Sequence, residues 1–248
     1  MDQELFFNLC REYAAREKLS GGIGTLSEKT IHAVLKDYMD SNPAHQEQPF
    51  CGYVADIYDG SAIVEIQTRG FDRLRRKLAP FLNEAPVTIV HPVPDTKWLV
   101  MIDRDTGEIL SRRRSPKHGS IYSAIPELYK IKSFLKEPNL HFHFIFLDVE
   151  EYRLFQGCYK GRRKKSVTQE RIPLSFNYEI MIDTKEDYRI FIPDGLPSEF
   201  TSKDFAKTAR IPLPCAQTAL NILTYMNTVT RIGKKGNSII YQVTKSFP

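Results

Sequence analysis

The dipeptide Asp59-Gly60, which separates two runs of alternating apolar residues, constrains the fold of this chain more than any other feature. Asp-Gly is a strong signal for a two-residue hairpin turn, because both central residues of that turn favour positive φ. The pattern predicts one strand over 53–57 and a second over 62–68, joined as an antiparallel hairpin. The rest of the fold is expected to form around this pair of strands.

A two-residue turn also determines which residues of the two strands share a face. It sets three pairs of residues opposite each other: Tyr58 with Ser61, Asp56 with Ile63, and Val54 with Glu65. Because side chains alternate between faces, the apolar residues share one face: Tyr53, Ala55, Ile57, Ala62, Val64 and Ile66. The other face is expected to carry Asp56, Glu65 and Gln67.

The polar face of this hairpin predicts a metal site. Asp56 and Glu65 are expected at diagonal positions, roughly 7–8 Å apart at the backbone. At that separation their oxygens can converge on one hard cation, which prefers oxygen ligands. The alternative is a half-exposed hairpin with its polar face in water. Two observations favour the metal site: amphipathic neighbours would cover both faces of the sheet, and Gln67 and Arg69 complete a compact polar set.

Amphipathic segments on both sides of the hairpin are its expected packing partners. Helical spacing of apolar residues predicts helices over 2–18, from Thr25 onward, and over 71–82, while 41–48 reads as a polar loop. The continuous apolar run 87–90 suits a buried parallel strand that is reached through a helical crossover. The predicted order around the hairpin is therefore helix, strand, strand, helix, strand.

Glu28 lies in the first turns of the second predicted helix, and two interpretations of its role remain. Thr25 and Glu28 have the spacing of a capping box, which would make Glu28 purely structural. Glu28 also shares a helix face with Ile31 and Leu35, so it can point toward the surface on which that apolar stripe packs. The second interpretation makes Glu28 a candidate site residue.

This αββαβ order, with Glu28 on the helix, Asp56 on the first hairpin strand and Glu65-Ile66-Gln67 on the next, resembles the PD-(D/E)xK nuclease superfamily. That superfamily includes restriction enzymes and Holliday-junction resolvases. The resemblance covers residues 25–93 and implies an α/β fold whose mixed sheet has a restriction-endonuclease-like core. It also implies that Asp56 and Glu65 bind Mg²⁺ or Mn²⁺, and that Glu28 assists directly or through water.

Gln67 departs from the superfamily pattern, because most members carry lysine there and glutamine supplies no positive charge. The implied catalytic set is nonetheless Glu28, Asp56, Glu65 and Gln67. The metal would lower the pKa of a bound water, which attacks the phosphorus in line. Gln67 is expected to position this water, and Arg69 is expected to supply the missing positive charge and to contact DNA.

Residues 94–193 are predicted to extend the nuclease-like sheet. The patterns predict a hairpin over 98–103 and 108–112, a helix over 122–136, and a strand over 140–149. His141 and His143 alternate with aromatic residues on that strand. Metal ligation is one interpretation, but two isolated histidines on a strand are more often edge or half-buried residues. The first domain, with these extensions, is expected to span residues 1–195.

A second domain is predicted over 197–248, after the proline- and glycine-bearing boundary 193–197. A short helix, a turn, a longer helix and a basic hairpin around 233–236 resemble a winged helix-turn-helix domain. The resemblance implies a recognition helix and a basic hairpin that contact DNA through Gln217, Thr218, Asn221, Thr224, Lys234 and Lys235. A small module that contacts protein is the alternative.

Composition and charge agree with a globular protein that binds polyanions. The 248 residues are 42% hydrophobic and 26% charged, with a net charge of +5. Basic residues cluster at 112–114, 162–165 and 234–235, which favours polyanion partners, although solvated loops would explain any single cluster. The four cysteines show no CxxC spacing, so reduced, mostly buried thiols and no zinc site are expected.

The amino terminus contains acidic residues and no long apolar run, so no signal peptide is expected. No apolar run approaches the ~20 residues of a membrane span. The expectation is a cytoplasmic protein with DNA as its partner and no membrane partner; assembly as a homodimer is left open. Its expected function is that of a metal-dependent DNA phosphodiesterase. The rival, which Gln67 favours, is a catalytically inactive, nuclease-fold DNA-binding regulator.

Overall fold

The computed structural model describes residues 2–19, 30–103, 106–154, 158–159, 162–163 and 166–244. In these ranges one mixed sheet of seven strands is flanked by helices, which confirms the predicted α/β class. The seven strands of this sheet are β1 (Gln46–Phe50), β2 (Tyr53–Tyr58), β3 (Ile63–Ile66), β4 (Val87–Ile102), β5 (Ile109–Arg114), β6 (Leu140–Leu154) and β9 (Val167–Ile182). Two further two-stranded sheets are formed by β7 (Cys158–Tyr159) with β8 (Arg162–Arg163) and by β10 (Val229–Lys235) with β11 (Ser238–Val243).

The helices surround this sheet on both sides. They are α1 (Gln3–Leu19), α2 (Thr30–Met39), α3 (Arg75–Glu84), α4 (Ile125–Lys130), α5 (Ser202–Ala209) and α6 (Leu213–Tyr225). Short 3₁₀ helices cover Phe71–Leu74, Ile121–Ala124, Lys132–Phe134 and Glu186–Phe191. Thr25 and Glu28, with their predicted capping box, lie outside the described residues, as do 164–165 of the predicted basic loop.

The main sheet has the strand order β1-β2-β3-β4-β6-β9, and β5 also pairs with β4. β3, β4 and β6 are parallel neighbours, and the other pairs in the sheet are antiparallel. The parallel strand predicted at 87–90 is present, and the chain reaches it through α3. It is the start of one 16-residue strand, β4, which also contains residues 98–102 of the separate strand predicted at 98–103.

Apolar residues pack on both faces of the sheet, as the amphipathic patterns predict. On one face, Leu78 of α3 and Leu220 of α6 belong to the same buried cluster as Ile89. On the other face, Phe6 of α1 and residues of α2 pack with Val90. Since β3 and the first half of β4 lie between these two layers, polar side chains on them are shielded from bulk water.

The predicted hairpin is present, but its predicted register is wrong. Tyr58 pairs with Ile63, and Ile57 pairs with Val64, so the connection contains four residues instead of two. The carboxylate of Asp59 accepts hydrogen bonds from the backbone N–H groups of Ser61 and Ala62 and from the Ser61 hydroxyl, and these bonds close a wider turn. Continued by one pair, the observed register sets Asp56 directly opposite Glu65 instead of diagonal to it.

The tight two-residue turn lies elsewhere, between β1 and β2. Cys51 and Gly52 both have positive φ, as a type I′ turn requires, and Phe50 pairs with Tyr53 across it. The sequence pattern missed β1, because its mostly polar residues show no apolar alternation and read as part of a loop. Cys51 is consequently an exposed free thiol, whereas Cys10 is buried as predicted.

The carboxy-terminal segment contains the predicted helices and hairpin. α5 begins at a capping box formed by Thr201 and Asp204, and β10 pairs antiparallel with β11. The apolar side of α6 packs into the cluster that covers one face of the main sheet, where Leu220 and Leu223 are fully buried. No helix in the described ranges is both long and apolar enough to cross a membrane.

Candidate functional site

A polar cavity of about 470 Å³ lies where α2, α3 and the ends of β2 and β3 meet. Its lining combines acids and bases and includes His32, Glu47, Asp56, Glu65, Gln67, Arg69, Arg73 and Lys77. The cavity therefore contains the two acids on which the predicted metal site rests. It also contains Gln67 and Arg69, which were predicted to complete that site.

Asp56, on β2, is an ionised carboxylate in a fixed orientation. Its Oδ2 accepts a hydrogen bond of 2.7 Å from the backbone N–H of Ile66 and lies 3.3 Å from His32 Nε2. Burial alone would raise the pKa of Asp56, but the hydrogen bond and charge of His32, the Ile66 N–H and the charge of Lys77 together hold the pKa below its usual value. Asp56 is therefore a negatively charged group at neutral pH.

Glu65, on β3, has the opposite electrostatic character. Only 1% of its surface is exposed, and burial, followed by the charge of Asp56, raises its pKa to about 7 even though Lys77 opposes the shift. Its Oε2 forms an ion pair with Lys77 Nζ. Its Oε1 is buried and has no hydrogen-bond partner in the described chain. A buried carboxylate oxygen without a partner is costly, and a water or a bound ion would reduce this cost.

Lys77 is a site residue that the sequence analysis missed. It lies within the helix predicted over 71–82 but was not among the candidate site residues. In the structure it reaches over the hairpin from α3, pairs with Glu65 and lies 3.4 Å from the carbonyl oxygen of Val54. A signal was present, because Lys77 lies three residues after Leu74 and four before Phe81 and so borders the apolar stripe of its helix.

His32 is a second missed residue, and it lies on α2, next to the buried Ile31. Its contact with Asp56 joins α2 to the hairpin at the rim of the cavity. Sequence spacing alone could not have shown this contact, because it joins residues 24 positions apart through tertiary packing. His32 orients the Asp56 carboxylate and favours its ionised form.

Gln67 lies at the cavity, but its side chain already has partners. Its Nε2 donates to the backbone carbonyls of Arg69, at 2.5 Å, and Gly70, at 3.4 Å. The backbone carbonyl of Gln67 accepts a 2.6 Å hydrogen bond from Nδ1 of His91, which is buried in the core. These bonds hold the Gln67–Gly70 turn in shape and direct Arg69 to the cavity rim. The predicted third acid, Glu28, lies outside the described residues.

The donor set fits an open Mg²⁺ site better than a closed metal centre. Among the described residues, no group of three or more His, Cys, Asp or Glu side chains is gathered around one point. Mg²⁺, however, is commonly held by one or two carboxylates and keeps water or substrate phosphates in its other positions. Ionised Asp56 and the unpartnered Glu65 Oε1 match that requirement.

The predicted DNA-contacting residues of the carboxy-terminal segment lie apart from this cavity. On α6, Gln217 is exposed, whereas the Thr218 hydroxyl donates to the Pro214 carbonyl and Thr224 Oγ1 is buried. Asn221 Oδ1 accepts a 2.7 Å hydrogen bond from Lys132 Nζ, so this part of α6 faces the main sheet domain. Lys234 and Lys235 are exposed next to the turn between β10 and β11.

The two histidines of the predicted strand are structural. His143 is buried, and its Nε2 lies 2.6 Å from Glu179 Oε2 on the neighbouring strand. His141 Nδ1 lies 3.3 Å from Asp183 Oδ1. Among the described residues each histidine forms an ion pair with one carboxylate, and the two carboxylates differ, which agrees with structural strand residues and not with a shared metal site.

Comparisons with known proteins extend over most of this structure. The chain is 28% identical over 221 residues to an "Uncharacterized protein" of Treponema pallidum (strain Nichols), an alignment that covers 89% of this chain and 87% of that protein. No solved structure gave a significant match. A family model described as "Domain of unknown function (DUF8091)" matches residues 29–183, which include every lining residue of the polar cavity. The chain therefore belongs to the DUF8091 family.

Proposed function

We propose that this protein is a metal-dependent phosphodiesterase that acts on DNA, with its active site in the cavity between α2 and α3. The observation that carries the proposal is the carboxylate pair Asp56 and Glu65, one ionised and one with its pKa raised to about 7, with Lys77 beside them. Paired groups whose pKa values are driven apart in a cleft are characteristic of catalytic sites.

Asp56 and Glu65 are the residues that would hold Mg²⁺ or Mn²⁺. The ion would supply Lewis-acid chemistry toward a phosphoryl oxygen and a bound water. His32 and the Ile66 N–H keep the Asp56 carboxylate in one orientation, so little reorganisation is needed when a ligand arrives. Glu65 Oε1 has no hydrogen-bond partner in the described part of the chain, so it could bind an ion without breaking a bond seen there.

Lys77 supplies the positive charge that the PD-(D/E)xK pattern would have at position 67. Its ammonium lies against Glu65 on the floor of the cavity, while Arg69 and Arg73 line the same space. Cations fixed around a phosphodiester stabilise the charge that develops on its oxygens during displacement. In this proposal Gln67 stabilises the turn over 67–70 through its hydrogen bonds. Lys77 provides the positive charge that the sequence resemblance assigns to position 67.

The order of elements around the cavity also supports the proposal. Helix α2 precedes the β2–β3 hairpin, and α3 leads to the parallel strand β4. Without the edge strand β1, which pairs with β2, this order resembles the αββαβ order of the PD-(D/E)xK superfamily. In this proposal Asp56 and Glu65, on the two strands of the hairpin, are the acids that the resemblance assigns to the metal.

The experiment that tests the proposal is a cleavage assay with the full chain. Purified protein is incubated with duplex, single-stranded and branched DNA in Mg²⁺, in Mn²⁺ and in EDTA. Cleavage in either metal that EDTA abolishes is the expected result. The rival function, a catalytically inactive DNA-binding regulator, is favoured by one observation: the Gln67 amide is bound to the Arg69 and Gly70 carbonyls and is not free for catalysis. DNA binding without cleavage in any of these conditions would support that rival.

We also propose that the carboxy-terminal segment docks on the duplex as a winged helix. Helices α5 and α6 followed by the β10–β11 hairpin have the order of such a module. Gln217, Lys234 and Lys235 are exposed and available to DNA, whereas Asn221 is bonded to Lys132. The hairpin cations would then provide most of the affinity by contacting phosphates.

Replacing Lys234 and Lys235 together by glutamine is expected to weaken DNA binding and to make it less sensitive to salt. Two lost phosphate contacts would lower the slope of log affinity against log salt by up to roughly 1.8 on a duplex. Titration of labelled duplex at several salt concentrations measures this slope. Arg11→Gln, which removes an exposed cation from α1, is the control. A double variant with the slope of the wild type would point to a module that contacts protein.

A further inference from the structure

The second halves of β4, β6 and β9 form an extension of the sheet on which cations gather on one face. Across these strands Leu99 pairs with Glu151, and Glu151 pairs with Arg171, while β5 adds Arg113 opposite Leu99. Lys97 and Arg153 lie two residues from this row on the same face, because side chains alternate along a strand. We call the face formed by Lys97, Arg113, Arg153 and Arg171 the extension surface.

A single buried carboxylate orients two of these cations. Glu151 is 1% exposed, and its Oε1 accepts a 2.7 Å hydrogen bond from Arg153 Nε, while its Oε2 accepts a 3.0 Å bond from Arg171 Nε. Thr168 Oγ1 lies 3.3 Å from Glu151 Oε1. The two arginine side chains remain 32% and 36% exposed. Their guanidinium groups are therefore fixed at one edge and accessible to solvent at the other.

The charge of this surface is not balanced by its own acids. Arg113 is exposed and has no ion-pair partner in the described ranges of the chain. Burial lowers the pKa of Lys97; Glu151 opposes this shift, and Arg171 and Arg153 add to it. Even if the buried Glu170 is counted with Glu151, four cations face two carboxylates. An anion that binds here would relieve this repulsion.

The extension surface is continuous with the polar cavity. A small cavity of about 80 Å³ lies between the two, and its lining includes Thr68 and Arg69 on one side and Thr168 and Arg171 on the other. Thr68 and Arg69 also line the larger cavity that contains Asp56. Arg69 therefore links the carboxylate pair to the cations of the extension.

The size of the surface indicates the class of ligand. Arg113 and Arg171 are three strand spacings apart, which corresponds to roughly 14 Å across the sheet. That width exceeds what one phosphate group can bridge, whereas a chain of phosphates can follow it. Pre-oriented guanidinium groups suit phosphate oxygens, which they can contact with two parallel hydrogen bonds.

We infer that the extension surface binds the sugar-phosphate backbone of one nucleic-acid strand, which leaves the carboxylate cavity past Arg69. The inference rests on the proposed function for the identity of its ligand. Contacts of this kind are independent of base sequence, because they involve phosphates and not base edges. The surface would hold a substrate strand in register with the cavity and extend the contact beyond the cleaved bond.

The test compares variants on the two faces of the same strand. Arg113→Gln and the pair Arg113→Gln/Arg153→Gln change the extension surface. Arg112→Gln is the matched control, because Arg112 is paired with Glu150 and lies over Trp98 on the opposite face of β5. Affinity for a fluorescein-labelled single strand and for the matching duplex is measured by anisotropy in EDTA, so that no cleavage occurs.

Arg113→Gln is expected to lower the salt slope on duplex by about 0.9, and the double variant by up to roughly 1.8, with the control unchanged. Because Arg113 makes no ion pair in the described chain, its variant should fold normally. Wild-type slopes in both variants would overturn the inference. If the wild type cleaves DNA and the variants bind DNA as tightly as the wild type, this inference is refuted and the proposed nuclease function stands. If the wild type does not cleave DNA but the variants bind DNA more weakly, the proposed nuclease function is refuted and the inference about the extension surface stands.

Discussion

The Asp56→Asn variant should lose metal-dependent DNA cleavage by about 10²–10³-fold, the loss typical of removing one group that stabilises the transition state. Asparagine is nearly isosteric, and its side-chain carbonyl can still accept the hydrogen bond from the Ile66 N–H, so the hairpin should keep its structure. What is lost is the negative charge that His32 and Lys77 stabilise. The rate of cleavage at saturating Mg²⁺, measured together with the melting temperature, checks this expectation.

The control for Asp56 lies on the same hairpin, outside the cavity. Asp59→Asn removes a carboxylate from the β2–β3 turn, where asparagine is also a favoured turn residue, and should keep cleavage near the wild-type rate. If Asp56→Asn cleaves as fast as Asp59→Asn, the acid on β2 is not part of the active site. If both variants melt early and lose activity together, the loss reflects the hairpin fold and not the charge of Asp56.

Glu65→Gln should make the protein more stable and less active. Burial and Asp56 raise the pKa of Glu65 to about 7. Between pH 4.5 and about pH 7, Glu65 therefore keeps its proton in the folded protein but loses it in the unfolded chain. Stability therefore falls as the pH rises through this interval. Glutamine is neutral throughout, so it should remove this fall, which corresponds to roughly 3 kcal/mol at the alkaline end.

Chemical denaturation at a series of pH values measures this effect. The free energy of unfolding of the wild type should decline relative to that of Glu65→Gln as the pH passes 4.5 and continues to about 7, and the two should differ by a constant amount above it. Parallel curves would mean that Glu65 titrates normally. Added Mg²⁺ should raise the melting temperature of the wild type more than that of the variant, since ligand binding stabilises only the folded state that contains the site.

The hairpin illustrates how far the sequence predicts this fold. Alternating apolar residues located β2 and β3 correctly, because half-buried strands produce that pattern whatever follows them. Their register depended on the turn, and the pattern could not show that the Asp59 carboxylate would bind Ser61 and Ala62 and widen it. Two extra residues in the turn keep the same faces, so Asp56 and Glu65 still share one side, now directly opposite each other.

The residues that complete the site were harder to predict. Lys77 approaches Glu65 from another element, and the geometry of that contact depends on how α3 crosses the sheet. His32 likewise contacts Asp56 from a different element, α2. Helical spacing places Lys77 at the border of the apolar stripe of α3, but it does not show either contact, because sequence spacing reports the faces of single elements and not the tertiary approach of two. The strand β1 was not predicted for a different reason. Backbone hydrogen bonds form this strand, and they require no apolar side chains that would produce an alternating pattern.

The carboxy-terminal segment shows a related limit. Helical periodicity located α5 and α6, and the glycine-bearing basic stretch located the β10–β11 hairpin. The pattern could not show which face of α6 is free. Asn221 was expected on the DNA-contacting face, yet it is bonded to Lys132 of the main domain, while Gln217 one turn earlier is exposed. Packing between the two parts of the chain decided which polar residues remain available.

The measurement that tests the metal site most directly is anomalous diffraction from crystals of the full chain soaked in Mn²⁺. A single ion is expected between Asp56 and Glu65, at roughly the 2.0–2.2 Å from their oxygens that small divalent cations adopt. Glu65 Oε1, without a partner in the metal-free protein, should be one of its ligands. An empty site at Mn²⁺ concentrations that support cleavage, with Lys77 still paired to Glu65, would contradict the assignment of this carboxylate pair as the metal centre.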